Sequence, residues 1–325
     1  MYYIKDYKEG EKFYGVYLCK VKQVLKSKAG KTYYNVDLQD KTGVINCKIW
    51  DLTNAIDNFE ELDFVHVEGI ITTFQDKLQV NISRVRVADE GEYVPSEYIP
   101  ASKYSPDKMY EKLLKLVDSV SEEHLNKLLK SFFVDDKEFA KEFKVHSAAK
   151  SMHHGFLSGL LQHSISVASI CDYFSKLYYI LDHDLIVTAA LLHDIGKIEE
   201  LADFPRNDYT DEGQLLGHIY IGAEKISRRI DEIPGFPREL KNELIHCILA
   251  HHGELEFGSP KKPAIAEAMA LSFADNIDAK MEGFIELYEA NDPNTAWLGF
   301  QRMLDSNIRQ SSGTVEIRKK KEQGN

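Results

Sequence analysis

The sequence predicts two domains of different class, a strand-rich barrel at the N-terminus followed by an all-α helical bundle, on three observations. Apolar residues alternate with a period of two from Lys12 to Ala88, and they recur at spacings of three and four beyond Tyr110. Between the two regimes lies Asp89 to Asp107, which carries Pro95, Pro100, Pro106, Gly91 and several serines and is expected to be a linker. A chain of 325 residues is long enough for two such cores.

Within residues 1–88, Val16 to Leu25 is expected as a strand, Lys28-Ala29-Gly30-Lys31 as a turn, and Tyr33 to Leu38 as the next strand. Asp40-Lys41-Thr42-Gly43 then turns tightly into Val44 to Trp50. A short helical insert is expected over Leu52 to Leu62, followed by strands Phe64 to Phe74 and Leu78 to Val87 joined at Gln75-Asp76-Lys77. Three strands, a helix and two further strands is the order of an OB-fold, a five-stranded barrel used mostly for oligonucleotides and sugars.

Strands send alternate side chains to opposite faces, so both surfaces of the barrel can be assigned. Tyr34, Val36 and Leu38, with Ile45, Cys47 and Ile49, take the core. Tyr33 beside Lys31, and Asn46, Lys48 and Trp50, take the other face, while Phe74 and Lys77 close the last hairpin. Exposed aromatic rings interleaved with lysines suit stacking on unpaired bases plus neutralisation of phosphates. Lys31, Tyr33, Lys48, Trp50, Phe74 and Lys77 are therefore the candidate nucleic-acid contacts. Packing of Trp50 and Phe74 on a neighbouring domain or a subunit is the competing explanation.

The net charge of −12 runs against the basic footprint usual in nucleic-acid binders, but it is unevenly spread. Residues 1–88 hold 13 basic side chains against 12 acidic ones, so the acidity lies beyond them. Lys20, Lys22, Lys26, Lys28 and Lys31 form a run with no acid among them, either an edge that tracks a phosphate backbone or lysines that guard a strand edge. The start, Met1-Tyr2-Tyr3-Ile4-Lys5-Asp6, has no basic stretch leading into an apolar run, and the longest apolar stretch, Leu185 to Leu192, is far too short to span a bilayer. A cytoplasmic protein without a membrane partner is expected. Cys19, Cys47, Cys171 and Cys247 are scattered with no C-x-x-C pair, and are expected to be reduced packing residues.

Helices are expected over Tyr110 to Phe133, Leu157 to Leu177, Leu185 to Leu201, Gln214 to Ile233, Glu239 to Ala250, Ile265 to Tyr288 and Thr295 to Ile308. These make an all-α domain over 108–311, with a polar tail over 312–325 whose lysine-rich end, Ile317 to Asn325, is expected to fray.

Five features in the helical half carry chemistry: His163, the doublet His193-Asp194, His218, the pair His251-His252, and Asp275. Each falls in or at the end of a helix with an apolar face, and bundle interiors are where converging helices build metal sites. A lone histidine on a helix is more often a hydrogen-bonded core or surface residue. Asp194 differs, because it follows the apolar run Leu185 to Leu192, and a buried aspartate is almost always paired or coordinated. Imidazole nitrogen with carboxylate oxygen and no thiolate favours Mn2+, Fe2+, Mg2+, Ni2+ or Zn2+ over copper(I) or a cluster.

His193-Asp194-Ile195-Gly196-Lys197 after an apolar helix, with a histidine upstream and an aspartate downstream, resembles the HD-domain phosphohydrolase superfamily, from about His146 to Tyr288. The resemblance implies that His163, His193, Asp194 and Asp275 ligate one divalent metal. In members with two ions two further histidines join, for which His218 and His251 match best, with Asp194 bridging and His252 a rival to His251. Lys197 is the candidate for a phosphate oxygen, its alternative being a solvated helix end. His154, in the pair His153-His154, could reach the substrate phosphate or pack locally.

Over most of its length the chain further resembles the YhaM family of 3′→5′ exoribonucleases. The less generic elements are Gly30-Lys31-Thr32-Tyr33-Tyr34, Asp40-Lys41-Thr42-Gly43, the His153 to His163 segment and His251-His252-Gly253. What this implies is hydrolysis of single-stranded RNA, and of single-stranded DNA, from the 3′ end to nucleoside 5′-monophosphates, with manganese favoured and a homo-oligomer as the assembly. Two alternatives stand beside it: a phosphohydrolase of nucleotides or cyclic nucleotides, since fold does not dictate substrate, and a non-catalytic binding protein.

Overall fold

The computed structural model describes residues 2–27, 29–53, 55–75, 77–94, 97–99, 101–150, 154–302 and 304–322. Lys28, Asp76, Pro95, Pro100 and His153, all named above, lie outside the described residues. Two compact units form: Met1–Lys103 with Asp203–Asp208, and Tyr104–Ala202 with Tyr209–Asn325.

The first unit is a closed barrel of β1 (Lys12–Lys26), β2 (Thr32–Asp40), β3 (Gly43–Ile49), β4 (Phe64–Phe74) and β5 (Lys77–Val87), in the spatial order β1-β2-β3-β5-β4. Closure rests on β1, long enough at 15 residues to pair with β2 through its C-terminal part and with β4 through its N-terminal part. The β3–β5 pairing is parallel and all other pairings are antiparallel. Val36, Leu38, Ile45, Cys47 and Ile49 fill the interior, as the alternation predicts, with Tyr34 half-buried against them and Val65, Val67 and Val80 added from β4 and β5.

No helix forms over Leu52–Leu62 among the described residues; the segment is irregular. The reason is packing: Phe59 is buried in the barrel core and Ile56 makes a bridge to Val85, so the chain is drawn out along the sheet instead of coiling. The expected linker is also partly packed. Tyr98 and Ile99 are buried, and Tyr93 stacks on Phe64 at 3.8 Å, covering an outer apolar patch of Val16, Leu18 and Ala88.

The second unit holds α1 (Pro106–Ser119), α2 (Glu123–Lys130) running into a π-helical turn (Ser131–Asp135), α3 (Lys137–Val145), α4 (Gly159–Leu177), α5 (His183–Leu192), α6 (Lys197–Glu200), α7 (Asp211–Asp231), α8 (Arg238–Ala250) and α9 (Ala266–Glu289). At the centre, α5 is buried on every side from Leu185 to Leu192, the mark of a helix with no solvent face, and it packs on α4, α8 and α9. Its start is fixed by Asp182, which accepts from the backbone N–H of Asp184 and Leu185.

Two expectations fail at the C-terminal end. Thr295 to Ile308 is not helical but a hairpin of β6 (Trp297–Gln301) and β7 (Ser306–Arg309), with Gly299 and Asp305 at positive φ where a helix cannot continue. The polar tail expected to fray at its end forms α10 (Ser312–Glu322), anchored by Arg318 through the backbone carbonyl of Asn291 and the side chain of Gln310. All four cysteines are buried free thiols. No helix among the described residues is long and apolar enough to cross a membrane.

Candidate metal centre and strand-binding face

Helix ends place the site's histidines. His193 caps the C-terminus of α5 and His251 caps that of α8, where the last carbonyls have no intrahelical partner. Each ring uses the carbonyl three residues back: His193 Nδ1 lies 2.8 Å from the Ala190 oxygen and His251 Nδ1 lies 2.7 Å from that of Ile248. His163 sits in the first half of α4, with Nδ1 2.7 Å from Asp278 Oδ2. His218 Nδ1 lies 2.9 Å from Glu200 Oε1, and His252 Nδ1 lies 2.9 Å from the Phe257 carbonyl. All five imidazoles therefore spend Nδ1–H on an oxygen acceptor, which leaves Nε2 as the nitrogen free to ligate.

Four of those Nε2 atoms, all but that of His252, converge on Asp194. His163 Nε2 stands 3.3 Å from Asp194 Oδ2, 3.2 Å from Asp275 Oδ1 and 3.2 Å from His193 Nε2, while His193 Nε2 is 3.3 Å from Asp194 Oδ2. The other oxygen, Oδ1, faces His218 Nε2 at 3.6 Å and His251 Nε2 at 3.7 Å. One carboxylate thus borders two clusters. Buried polar atoms are ordinarily hydrogen-bonded, yet Asp194 Oδ1, His218 Nε2 and His251 Nε2 are all buried without a hydrogen-bond partner. A divalent cation fits that arrangement, since it satisfies all three at once and the donors are the nitrogen and oxygen types such ions take. His163, His193 and Asp275 form one group that could hold an ion, and His218, His251 and His252 form another. His251 and His252 thus stand in one group rather than as exclusive choices.

The electrostatics suit a cation. Burial opposes the charge on Asp194, but the neighbouring His193, Lys197 and His163 outweigh it and hold the carboxyl well below its ordinary range. For His251, burial together with the adjacent His252 and His193 pushes the pKa well below the histidine value, so the ring is neutral. Lys197 Nζ lies 2.7 Å from Asp194 Oδ2; burial opposes its charge, yet the carboxylate keeps it protonated.

Backbone geometry aims His218. Gly217 adopts φ 74° and ψ 153° inside α7, a region open in practice only to glycine, and the kink turns His218 so that its N–H and its Nδ1 both meet Glu200. Gly196, after the doublet, lets this part of α7 approach closely: a Cβ there would stand 2.1 Å from the His218 carbonyl oxygen.

Two site residues were missed from sequence, Asp278 and Glu200. Asp278 follows Asp275 by three residues, which puts both carboxylates on one face of a helix, and that spacing was the available signal. Glu200 ends a four-residue helix and offered none. His154 is buried, with Nε2 2.9 Å from Asp278 Oδ2, on the Nδ1 side of His163.

On the barrel, Tyr33 and Trp50 stack at 4.6 Å with 28° between their planes, and Trp50 is 44% exposed. The indole is fixed by its N–H donating to Asn81 Oδ1 at 2.9 Å. Lys48 lies 5.6 Å from the Tyr33 ring centre and donates to Asn35 Oδ1 at 2.6 Å. Phe74, 59% exposed, is paired with Lys77 at the closing position of the β4–β5 hairpin. Lys31 pairs with Asp51. Of the lysine run, Lys22 is not available to a ligand: it is nearly buried, bound to the Phe59 carbonyl and 3.6 Å from Glu60.

Comparison with known proteins matches the HD domain family over residues 160–280 and the OB-fold nucleic acid binding domain family over residues 20–88. Among solved structures, one described as "Structure and Conformational Change of a Replication Protein A Heterotrimer Bound to ssDNA" is 16% identical with a TM-score of 0.21. The match covers 27% of this chain and 64% of that one. The second OB-fold domain of replication protein A from Methanococcus maripaludis is 17% identical over 28% of this chain and 96% of that chain, with a TM-score of 0.21. The two matched stretches fall on the barrel and on the helical unit in turn, so the architecture is an OB-fold barrel followed by a helical region with an HD domain.

Proposed function

We propose that this chain is a metal-dependent 3′→5′ exonuclease that hydrolyses single-stranded RNA, and single-stranded DNA, to nucleoside 5′-monophosphates. The observation that carries the hydrolytic half is the set of four imidazoles, His163, His193, His218 and His251, each with Nδ1 bonded to oxygen and Nε2 turned to Asp194 at 3.3–3.7 Å. His163, His193, Asp194 and Asp275 would hold one divalent ion, and His218, His251 and His252 with Asp194 Oδ1 a second, manganese being favoured by the family resemblance. When bound, such ions lower the pKa of a water and neutralise charge developing on a phosphodiester. Asp194 presents one oxygen to each cluster and so ties the two together. Lys197 places a half-buried ammonium beside that carboxylate, where it can meet a phosphate oxygen. Glu200 and the Gly217 kink keep His218 facing Asp194.

Strand holding belongs to the barrel. The exposed face of Trp50, backed by Tyr33, accepts any base by stacking, because every base has a π-face; Phe74 extends that surface, and Lys31, Lys48 and Lys77 supply charge for phosphates. Holding without reading the sequence suits degradation of any strand from one end. A homo-oligomer, implied by the family resemblance, is checked by light scattering.

The test incubates the full chain and Mn2+ with a 5′-labelled single strand and, separately, with nucleotides and cyclic nucleotides. A ladder shortening from the 3′ end is expected. Turnover of nucleotides with an untouched strand overturns the nuclease and leaves a small-molecule phosphohydrolase.

A further inference from the structure

Asp278 is one turn beyond Asp275 on α9, and its Oδ2 accepts two hydrogen bonds, from His163 Nδ1 at 2.7 Å and His154 Nε2 at 2.9 Å. A carboxylate oxygen accepts, so each nitrogen facing it carries the proton. For His163 this fixes Nδ1–H and turns Nε2 toward Asp194, Asp275 and His193. His154 is 2% exposed, held at φ 63°, and its remaining nitrogen, Nδ1, is buried without a hydrogen-bond partner. A non-glycine residue in that backbone region is strained and persists where the surroundings hold it. Here the strain places a buried ring against Asp278.

We infer that Asp278 is a positioning residue of the metal centre, orienting His163 through Oδ2, and that His154 acts through Asp278 by steadying the same oxygen instead of meeting substrate. The inference rests on the proposed role of His163 as a ligand. Each ring is held on one side only by this carboxylate, so losing it frees His163 to rotate or to adopt the Nε2–H form that cannot ligate.

Mn2+ binding by calorimetry on the full chain tests it, with thermal unfolding of the metal-free protein measured alongside. Asp278→Ala is expected to weaken binding about 10- to 100-fold. Asp278→Asn, which keeps an acceptor oxygen, is expected to recover part of that loss. His154→Gln should cost less, and the double variant Asp278→Ala/His154→Gln should bind no more weakly than Asp278→Ala alone. Wild-type affinity in Asp278→Ala, or additive losses in the double variant, overturns the inference while leaving the metal centre intact. Absence of Mn2+ binding by the wild type overturns the metal centre and the inference together. Should Asp278→Ala not fold, histidine 15N spectra of the wild type with Zn2+ decide: His163 as Nδ1–H is expected, and Nε2–H overturns it.

Discussion

His218 Nε2 stands 3.6 Å from Asp194 Oδ1, both atoms buried and neither hydrogen-bonded. Leaving two such groups unpaired costs on the order of 1–3 kcal/mol each, a penalty a shared cation removes. Asp194→Ala is therefore expected to reduce hydrolysis to background while single-strand binding by the barrel stays within about twofold, since barrel and site belong to separate units. Turnover assays with fluorescence-anisotropy binding check both; retained hydrolysis contradicts the ligand role.

Gly217→Ala bears on how His218 is aimed. At φ 74° and ψ 153° a Cβ is strained, and a cost of about 1–3 kcal/mol is expected, with a weaker metal affinity because the kink must relax. Thermal unfolding and Mn2+ titration of the variant read the two effects; wild-type values in both contradict the account of the kink.

Trp50→Ala is expected to cost about 1–3 kcal/mol of single-strand affinity, the worth of one stacked base, and to leave hydrolysis of a dinucleotide near wild type. Binding should also weaken as salt is added. Anisotropy with a labelled strand measures this, and an unchanged affinity means the aromatic pair serves another contact.

His163 gives the pH dependence. Burial alone would lower its pKa, but hydrogen bonds to Asp194, Asp275 and Asp278 outweigh it and hold the pKa well above the ordinary 6.5. A group raised on folding stabilises fully below its unfolded value and loses that contribution as pH rises through the folded one. The metal-free protein is thus expected to lose stability on the alkaline side of neutrality. Mn2+ affinity should rise over the same range, because the ion displaces the Nε2 proton. Calorimetry and chemical denaturation between pH 6 and 9 follow both; pH-independent affinity contradicts proton displacement.

Much of this was legible in the sequence because periodicity and burial coincide: β3 alternates cleanly, and α5 is buried and apolar from Leu185 to Leu192 except for Thr188, so the charged Asp194 just beyond it stood out. Where local pattern and tertiary packing disagree, packing prevailed. Leu52–Leu62 has helical spacing, yet burial of Phe59 in the barrel keeps it irregular, and Thr295 to Ile308 is bent into a hairpin by positive φ at Gly299 and Asp305. The ligand candidates could be named because histidines and aspartates next to apolar runs are conspicuous. Asp278 offered only its spacing from Asp275 and Glu200 offered no signal, since their roles come from hydrogen bonds to residues 115 and 18 positions away respectively.

The most direct test of the central claim is an anomalous-scattering map from crystals grown with Mn2+. The account predicts density bounded by His163, His193, Asp194 and Asp275, and a second peak among Asp194, His218, His251 and His252. A map in which the ion avoids Asp194, or in which these side chains bind none at saturating Mn2+, contradicts it.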